Sequence, residues 1–79
     1  MDTVVVLSRA GTRSVPTPLQ ACIEEHGTLQ FVTRQEAPRG LEAAQLLRSA
    51  TVLATTNVTL PRLDAELLRA CPRLRHVVL

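Results

Sequence analysis

The sequence contains almost no aromatic residues. Tryptophan and tyrosine are absent, and Phe31 is the single phenylalanine among 79 residues. Modules that bind nucleic acids, flavins or sugars rely on aromatic side chains on which the ligand rings stack. The lack of such side chains argues against these classes, and we expect no nucleic-acid partner.

Lysine is also absent, so arginine supplies all nine basic residues. The arginines are scattered among seven acidic residues, which leaves a formal net charge of +2. A protein that follows a phosphate backbone concentrates its cations on one face or one helix. The charge pattern therefore also argues against a nucleic-acid partner.

Cysteine occurs only twice, at Cys22 and Cys71, in two different predicted helices. Neither belongs to a CxxC pattern or to a Cys/His spacing typical of a metal site. We predict two buried, free thiols in a reducing compartment rather than a disulfide or a metal site.

Long apolar segments are missing as well. The first residues lack the basic start and the extended apolar core of a signal peptide. No stretch approaches the roughly 20 apolar residues that a membrane-spanning helix needs. We therefore expect a cytoplasmic protein without a membrane partner.

What the sequence does contain is an alternation of two patterns. Apolar runs rich in β-branched residues predict four strands, at residues 3–8, 29–33, 51–55 and 76–79. Amphipathic stretches predict three helices, at residues 17–27, 41–49 and 64–71. Thr17 with Pro18 and Asp64 are expected to start helices, while Gly27 and Pro72 are expected to end them.

The periodicity also predicts which side chains are buried. In the second strand, Leu29 and Phe31 are expected to point inward and Val32 outward. The helix residues expected in the core are Leu19, Cys22, Ile23, Leu41, Ala43, Ala44, Leu46, Leu47, Leu67, Leu68 and Cys71.

Strands that alternate with helices of about ten residues pair in parallel through right-handed crossovers. The short second strand has a polar face, which is typical of a sheet edge. The pattern predicts an α/β, flavodoxin-like βαβαβαβ three-layer sandwich with the parallel sheet order 2-1-3-4. A domain of 79 residues buries only about 60 to 65 per cent of its unfolded surface, so its stability should be marginal.

This topology leaves one face of strands three and four without a helix. Both strands are apolar on both faces, and Val77, Val78 and Leu79 would form an unprotected edge. We therefore expect residues 1–79 to be a single, partial domain. Either the remainder of a longer chain or a partner subunit should cover strands three and four.

Few residues in the sequence are candidates for chemistry. The loop at residues 8–14 follows strand one, where flavodoxin-like proteins bind phosphate, but it has one glycine and no phosphate-binding fingerprint. An exposed turn is the favoured interpretation, and a small flavin or phosphate site stays open as an alternative. His26 and His76 lie at predicted element boundaries, and no two carboxylates form an acid/base pair.

Residues 63–78, L-D-A-E-L-L-R-A-C-P-R-L-R-H-V-V, resemble a segment of the D-isomer-specific 2-hydroxyacid dehydrogenases. In that family, a helix of the type E-L-L-x-A-x-P-x-L-[KR] precedes the strand that closes the first half of the substrate domain. The S-A-T-V-L-A-T run at residues 49–55 and the order of the earlier elements resemble the same family.

The resemblance implies a two-domain, NAD(P)-dependent oxidoreductase that acts on a small 2-hydroxy or 2-oxo acid. Its substrate domain would be flavodoxin-like, and this chain would be the first part of that domain. The dinucleotide fingerprint and the catalytic arginine, acid and histidine of the family have no counterpart in these residues. The chain is thus expected to bind no cofactor itself, although NAD or NADP is implied for the full-length family.

The resemblance also implies a position for substrate contacts. Family members contact the substrate carboxylate through the loop after strand three, often with an Arg-Ser pair. Thr56 and Asn57 lie nearest that pair, and a slide of two residues would place Val58 and Thr59 there instead. The predicted function is that of an N-terminal fragment of such a dehydrogenase, inactive alone. The alternative is a stand-alone, non-catalytic α/β interaction module.

Overall fold

The apolar run near the start of the chain forms the strand to which the other elements attach. In a computed structural model that describes residues 2–79, strand β1 (Asp2–Ser8) precedes a short 3-10 helix at Gly11–Ser14. The remaining elements are listed in chain order: α1 (Thr17–Glu24), β2 (Gly27–Thr33), α2 (Gly40–Leu47), β3 (Val52–Thr55), α3 (Ala65–Ala70) and β4 (His76–Val78).

The four strands form one parallel sheet in the order β2-β1-β3-β4. Val5 of β1 pairs with Gln30 of β2 on one side and with Leu53 of β3 on the other. Leu53 in turn pairs with Val77 of β4. The predicted α/β, flavodoxin-like architecture and its 2-1-3-4 order are confirmed.

The core lies between the sheet and the helices α2 and α3. The sheet contributes Val5, Leu7 and Leu53, which project from one face because alternate residues of a strand point the same way. The other buried members are Ala43, Leu47, Ala50, Leu67 and Cys71. This cluster confirms the predicted inward stripes of α2 and α3 at Ala43, Leu47, Leu67 and Cys71.

Three leucines predicted to be buried are exposed instead. Leu19 of α1 is 50% exposed, Leu41 of α2 is 74% exposed and Leu68 of α3 is 48% exposed. Each lies on a short helix of six or eight residues, where only the residues that face the sheet reach the core. The apolar stripe indicated by the sequence is wider than the face that the sheet can cover.

Helix α1 departs furthest from its predicted packing, because none of its residues is buried. It packs mainly against the edge strand β2, so Cys22 and His26 stay exposed and Ile23 is half-buried. The prediction of a buried Cys22 is therefore wrong. Val32 of β2 was expected to point outward, but it packs against the core cluster on the α2 side of the sheet.

The residues that were predicted to begin or end helices act in different ways. Asp64 caps α3 as predicted, since its Oδ1 accepts a hydrogen bond from the Leu67 amide at 2.9 Å. Thr17 does not cap α1 with its side chain and is instead the first helical residue. Gly27 follows the end of α1 and opens β2, where a Cβ would collide with the backbone of Asp2. Glycine is thus required there by the close approach of β1.

The face of the sheet opposite α2 and α3 is incompletely covered. Right-handed crossovers place α1 on that face, over β2 and away from β3 and β4. Val52 and Ala54 of β3 are half-buried there. At the edge, Val78 is 54% exposed, and Val77 and Leu79 are exposed as well. No helix among residues 2–79 is long and apolar enough to cross a membrane.

The two cysteines have different surroundings, which leads to a first prediction. Both are free, but Cys22 is exposed whereas Cys71 is buried, and burial raises the pKa of the Cys71 thiol above its ordinary value. Only the thiolate attacks a disulfide reagent. We expect Cys22 to react with such a reagent at pH 8 about 100-fold faster than Cys71, which must first be exposed by local unfolding.

Time-resolved thiol labelling of the native protein tests this expectation. Cys22→Ser should abolish the fast phase, and Cys71→Ser should leave it intact. Two thiols of equal reactivity in the native protein would contradict the buried position of Cys71.

Candidate functional site

The topology defines a crevice at the carboxyl edge of the sheet. Strands β1 and β3 are neighbours, but the chain leaves β1 toward α1 on one face and leaves β3 toward α3 on the other. Two adjacent loops that diverge in this way open a crevice, which is where α/β sheets bind their ligands. The walls of this crevice are the loop after Ser8 and the loop after Thr55.

The loop after β1 is held by contacts within the loop and with the loop after β2. Gly11 adopts a left-handed backbone conformation with φ +61°, and a Cβ at this position would lie 3.0 Å from the Thr33 side-chain oxygen. The Ser8 and Ser14 hydroxyls form a hydrogen bond that closes the loop. Arg9 donates from Nε to the Gln35 carbonyl at 2.7 Å, which connects this loop to the one after β2.

The loop after β3 is anchored by a buried threonine. Thr59 has no exposed surface, and its hydroxyl lies 3.0 Å from the Leu7 carbonyl, 2.9 Å from the Thr55 hydroxyl and 2.8 Å from the Thr56 hydroxyl. A carbonyl can only accept, so Thr59 donates to Leu7, and Thr55 and Thr56 both donate to Thr59. One side chain therefore fastens the loop to the end of β1.

This network separates the four residues that the resemblance assigned to substrate binding. Thr59 is buried and its hydroxyl is fully engaged within the protein. Thr56, Asn57 and Val58 are exposed at the turn, which is closed by donation from the Thr59 and Leu60 amides to the Thr56 carbonyl. Among residues 2–79, neither the Asn57 amide nor the Val58 amide donates a hydrogen bond to another group.

Asn57 and Val58 are exposed residues whose backbone N–H groups donate no hydrogen bond among the described residues. Carboxylates and phosphates accept hydrogen bonds from such unpaired backbone N–H groups, and a turn that presents two in succession forms a small anion-binding concavity. No arginine lies between Thr55 and Leu60, unlike the Arg-Ser pair that the resemblance implies. Any anion held at this loop would thus be bound through the backbone rather than through a guanidinium group.

Several arginines surround the same edge but are directed to other groups. Arg34 lies 3.5 Å from Glu42, and Arg62 lies 4.0 Å from Asp64. These pairs are exposed, so each contributes little to stability. Arg9 is held by the Gln35 carbonyl, as described above.

The histidines lie at the opposite edge of the sheet. His76 is the first residue of β4 and pairs with Val52, the first residue of β3. His26 directly precedes Gly27, which pairs with Asp2 at the start of β1. Both histidines are exposed and lie at the amino ends of the strands, whereas the crevice lies at the carboxyl ends. Within the part of the chain that the structure describes, no three His, Cys, Asp or Glu residues are arranged to hold a metal ion.

Sequence reasoning missed two features of this region. Thr59 was expected at the ligand and not in the interior, and no local pattern indicates its hydrogen bond to the Leu7 carbonyl, 52 positions earlier. The second feature is a groove between α2 and α3, whose small residues were interpreted only as core. The first depends on how the loop after β3 packs, and the second depends on the spacing of α2 and α3.

Fold and crevice together define an α/β protein with a parallel, flavodoxin-like sheet and a polar loop at its switch point. Comparisons with family models, with curated proteins and with solved structures find no match to this chain. The resemblance to 2-hydroxyacid dehydrogenases therefore stays a prediction.

Proposed function

We propose that this chain forms part of the substrate-binding domain of an NAD(P)-dependent oxidoreductase of the D-isomer-specific 2-hydroxyacid dehydrogenase type. The observation that carries the proposal is the anchored turn after β3, which presents the unpaired Asn57 and Val58 amides at the switch point. A small 2-oxo or 2-hydroxy acid would place its carboxylate on these two donors. The free thiols support a reducing, cytoplasmic compartment.

The proposed role is binding and orientation, not the chemical step. Hydride transfer requires a nicotinamide against the substrate carbon and a group that exchanges the alcohol proton. His26 and His76 lie at the other edge of the sheet, too far from the crevice for this exchange. Other residues, from the remainder of a longer chain or from a partner subunit that covers β3 and β4, would supply the cofactor site and the proton transfer.

Titration with pyruvate, followed by the amide resonances of the isotopically labelled chain, tests this proposal. We expect the Asn57 and Val58 amides to shift with a dissociation constant on the order of 1–10 mM, because two backbone hydrogen bonds to an exposed carboxylate bind weakly. Pyruvamide, which lacks the carboxylate, should leave the two resonances in place. No oxidation of NADH with pyruvate is expected from the chain alone.

A matched pair of variants locates the effect. Asn57→Asp adds a negative charge at the turn and should abolish the pyruvate-dependent shifts. Gln35→Glu adds the same charge on the neighbouring loop and should weaken them far less. The proposal fails if the Asn57 and Val58 amides do not respond to pyruvate, or if the chain oxidises NADH by itself.

The exposed edge strand favours a second candidate function, that of a stand-alone interaction module. Val78 and Leu79 are 54% and 70% exposed, and beyond β4 no further strand pairs among residues 2–79. An apolar edge of this kind is a template for pairing with another chain. A module of this type would bury β4 in a defined complex and would not bind a 2-oxo acid at the loop after β3.

A further inference from the structure

A groove of about 750 Å³ lies between the first half of α2 and helix α3. Its apolar lining consists of three alanines and two leucines, which are Ala43, Ala44, Ala70, Leu60 and Leu67. This groove lies outside the crevice between β1 and β3, and the 2-hydroxyacid proposal makes no use of it. An apolar groove of this kind can receive side chains of a neighbouring protein.

Leu41 stands at the rim of this groove with 74% of its surface exposed, more than any other large apolar residue of residues 2–79. A leucine on the water side of a helix gains nothing for the isolated fold. Burial of such a side chain in an apolar pocket is favourable, because it removes apolar surface from water. The same surface thus carries both the exposed Leu41 and the groove lined by alanines.

The charges on the two rims are opposite. Arg39 lines the α2 side and Glu66 lines the α3 side. Neither takes part in an ion pair within residues 2–79, where the pairs formed are Arg34 with Glu42 and Arg62 with Asp64. A twofold axis through the groove would bring the basic rim of one molecule against the acidic rim of the other.

We propose that this groove binds a second copy of the chain in an isologous dimer. Leu41 of each protomer occupies the alanine-lined groove of its partner, and Arg39 of each pairs with the partner's Glu66. An isologous interface must be self-complementary, and a surface that carries both the leucine and its hollow, with opposite charges on the rims, meets this condition. A standard interface takes about 800 Å² from each partner, roughly 15% of the 5370 Å² surface of this chain.

Sedimentation equilibrium of the purified chain over a range of concentrations tests the dimer. We expect a dissociation constant on the order of 10 µM for a small interface with two buried leucines. Leu41→Lys should raise it about 100-fold or more, because a charge replaces the inserted side chain. Leu19→Lys, at a half-exposed leucine of α1 on the other face of the sheet, should leave it unchanged.

Charge reversal provides a readout that loss of folding cannot imitate. Arg39→Glu and Glu66→Arg, each alone, should weaken association about tenfold, because both place like charges together across the twofold axis. The double variant should restore it, since the pairs reform with exchanged signs. A chain that is monomeric at about 1 mM, or a dimer that survives Leu41→Lys and is lost in Val78→Lys, would overturn the proposal; the second result would assign the contact to β4.

Discussion

Replacement of Leu47 by alanine is expected to remove a large share of the folding free energy of this chain. Leu47 has no exposed surface and joins α2 to the centre of the core cluster, beside Leu7 and Leu53. Leu→Ala changes at such sites lower the free energy of unfolding by about 3–5 kcal/mol, since they combine lost apolar burial with a cavity. A folded chain of 79 residues has only about 4–12 kcal/mol in total.

Urea unfolding followed by circular dichroism at low protein concentration measures the effect. Leu68→Ala is the matched control, because Leu68 lies on the neighbouring helix α3 but is 48% exposed. It should lower the free energy of unfolding by less than about 1 kcal/mol, as most exposed substitutions do. Equal destabilisation by both changes would mean that the apolar stripe of α3 is buried as its sequence periodicity predicts, and that the observed packing is wrong.

Replacement of Thr59 by valine is expected to have the next largest effect. Valine keeps the shape of the side chain but removes the hydroxyl that donates to Leu7 and accepts from Thr55 and Thr56. Loss of one partner leaves buried polar groups without a hydrogen bond, at a cost of about 1–3 kcal/mol for each such group. Thr55 can turn toward the Thr56 carbonyl, 3.5 Å away, which limits the loss. We therefore expect the free energy of unfolding to fall by about 2–3 kcal/mol.

The same variant should also detach the turn at residues 56–59 from β1. This turn carries the two backbone N–H groups that are proposed to bind the carboxylate. We expect the amides of Asn57 and Val58 to shift and broaden in the nuclear magnetic resonance spectrum, while β2 is unaffected. Thr59→Ser keeps the hydroxyl and should retain most of the stability and the loop resonances. Thr28→Val, at an exposed position of β2, removes a hydroxyl that makes no hydrogen bond among the described residues and should change the stability by less than about 0.5 kcal/mol. If Thr59→Val is as stable as Thr59→Ser, the network does not hold the loop.

The order of elements was predictable from local pattern alone. A run such as Val4 to Leu7 has a strand period and a composition typical of a buried parallel strand, and Asp64 has the position of a helix cap. The polar face of the second strand indicated an edge, and the crossover rule then left few sheet orders open. These signals are local or combinatorial, so they do not require knowledge of packing.

The errors arise where one element must be matched to another. Leu41 and Leu68 fall at helical spacing with true core residues, but the width of the buried stripe depends on how closely each helix approaches the sheet. Val32 was assigned to the wet face, yet it pairs with Leu7 of β1 and packs against the core cluster. The periodicity of apolar residues identifies the apolar face of a helix or strand. It does not identify which other element packs against that face.

The candidate site also has a part that could be predicted from the sequence and a part that could not. The resemblance indicated the loop after β3 as a substrate contact, and the sheet order adds that this loop borders the switch point, where adjacent strands lead to opposite faces. The roles within that loop were beyond sequence reasoning, since Thr59 reaches a carbonyl 52 positions earlier in the chain. The groove between α2 and α3 likewise depends on the spacing of two helices whose residues are not adjacent in sequence.

By itself, the sequence determined the class of this protein: four strands, three helices, a parallel sheet in the order 2-1-3-4, and a composition without stacking surfaces. These properties follow from side-chain periodicity and chain connectivity, which act over a few residues or through the handedness of crossovers. Only the tertiary structure decided that Thr59 is an internal anchor, that Cys22 is accessible and that Leu41 borders a groove. Burial is a property of two surfaces in contact, and contacts between distant segments form only when the whole chain packs.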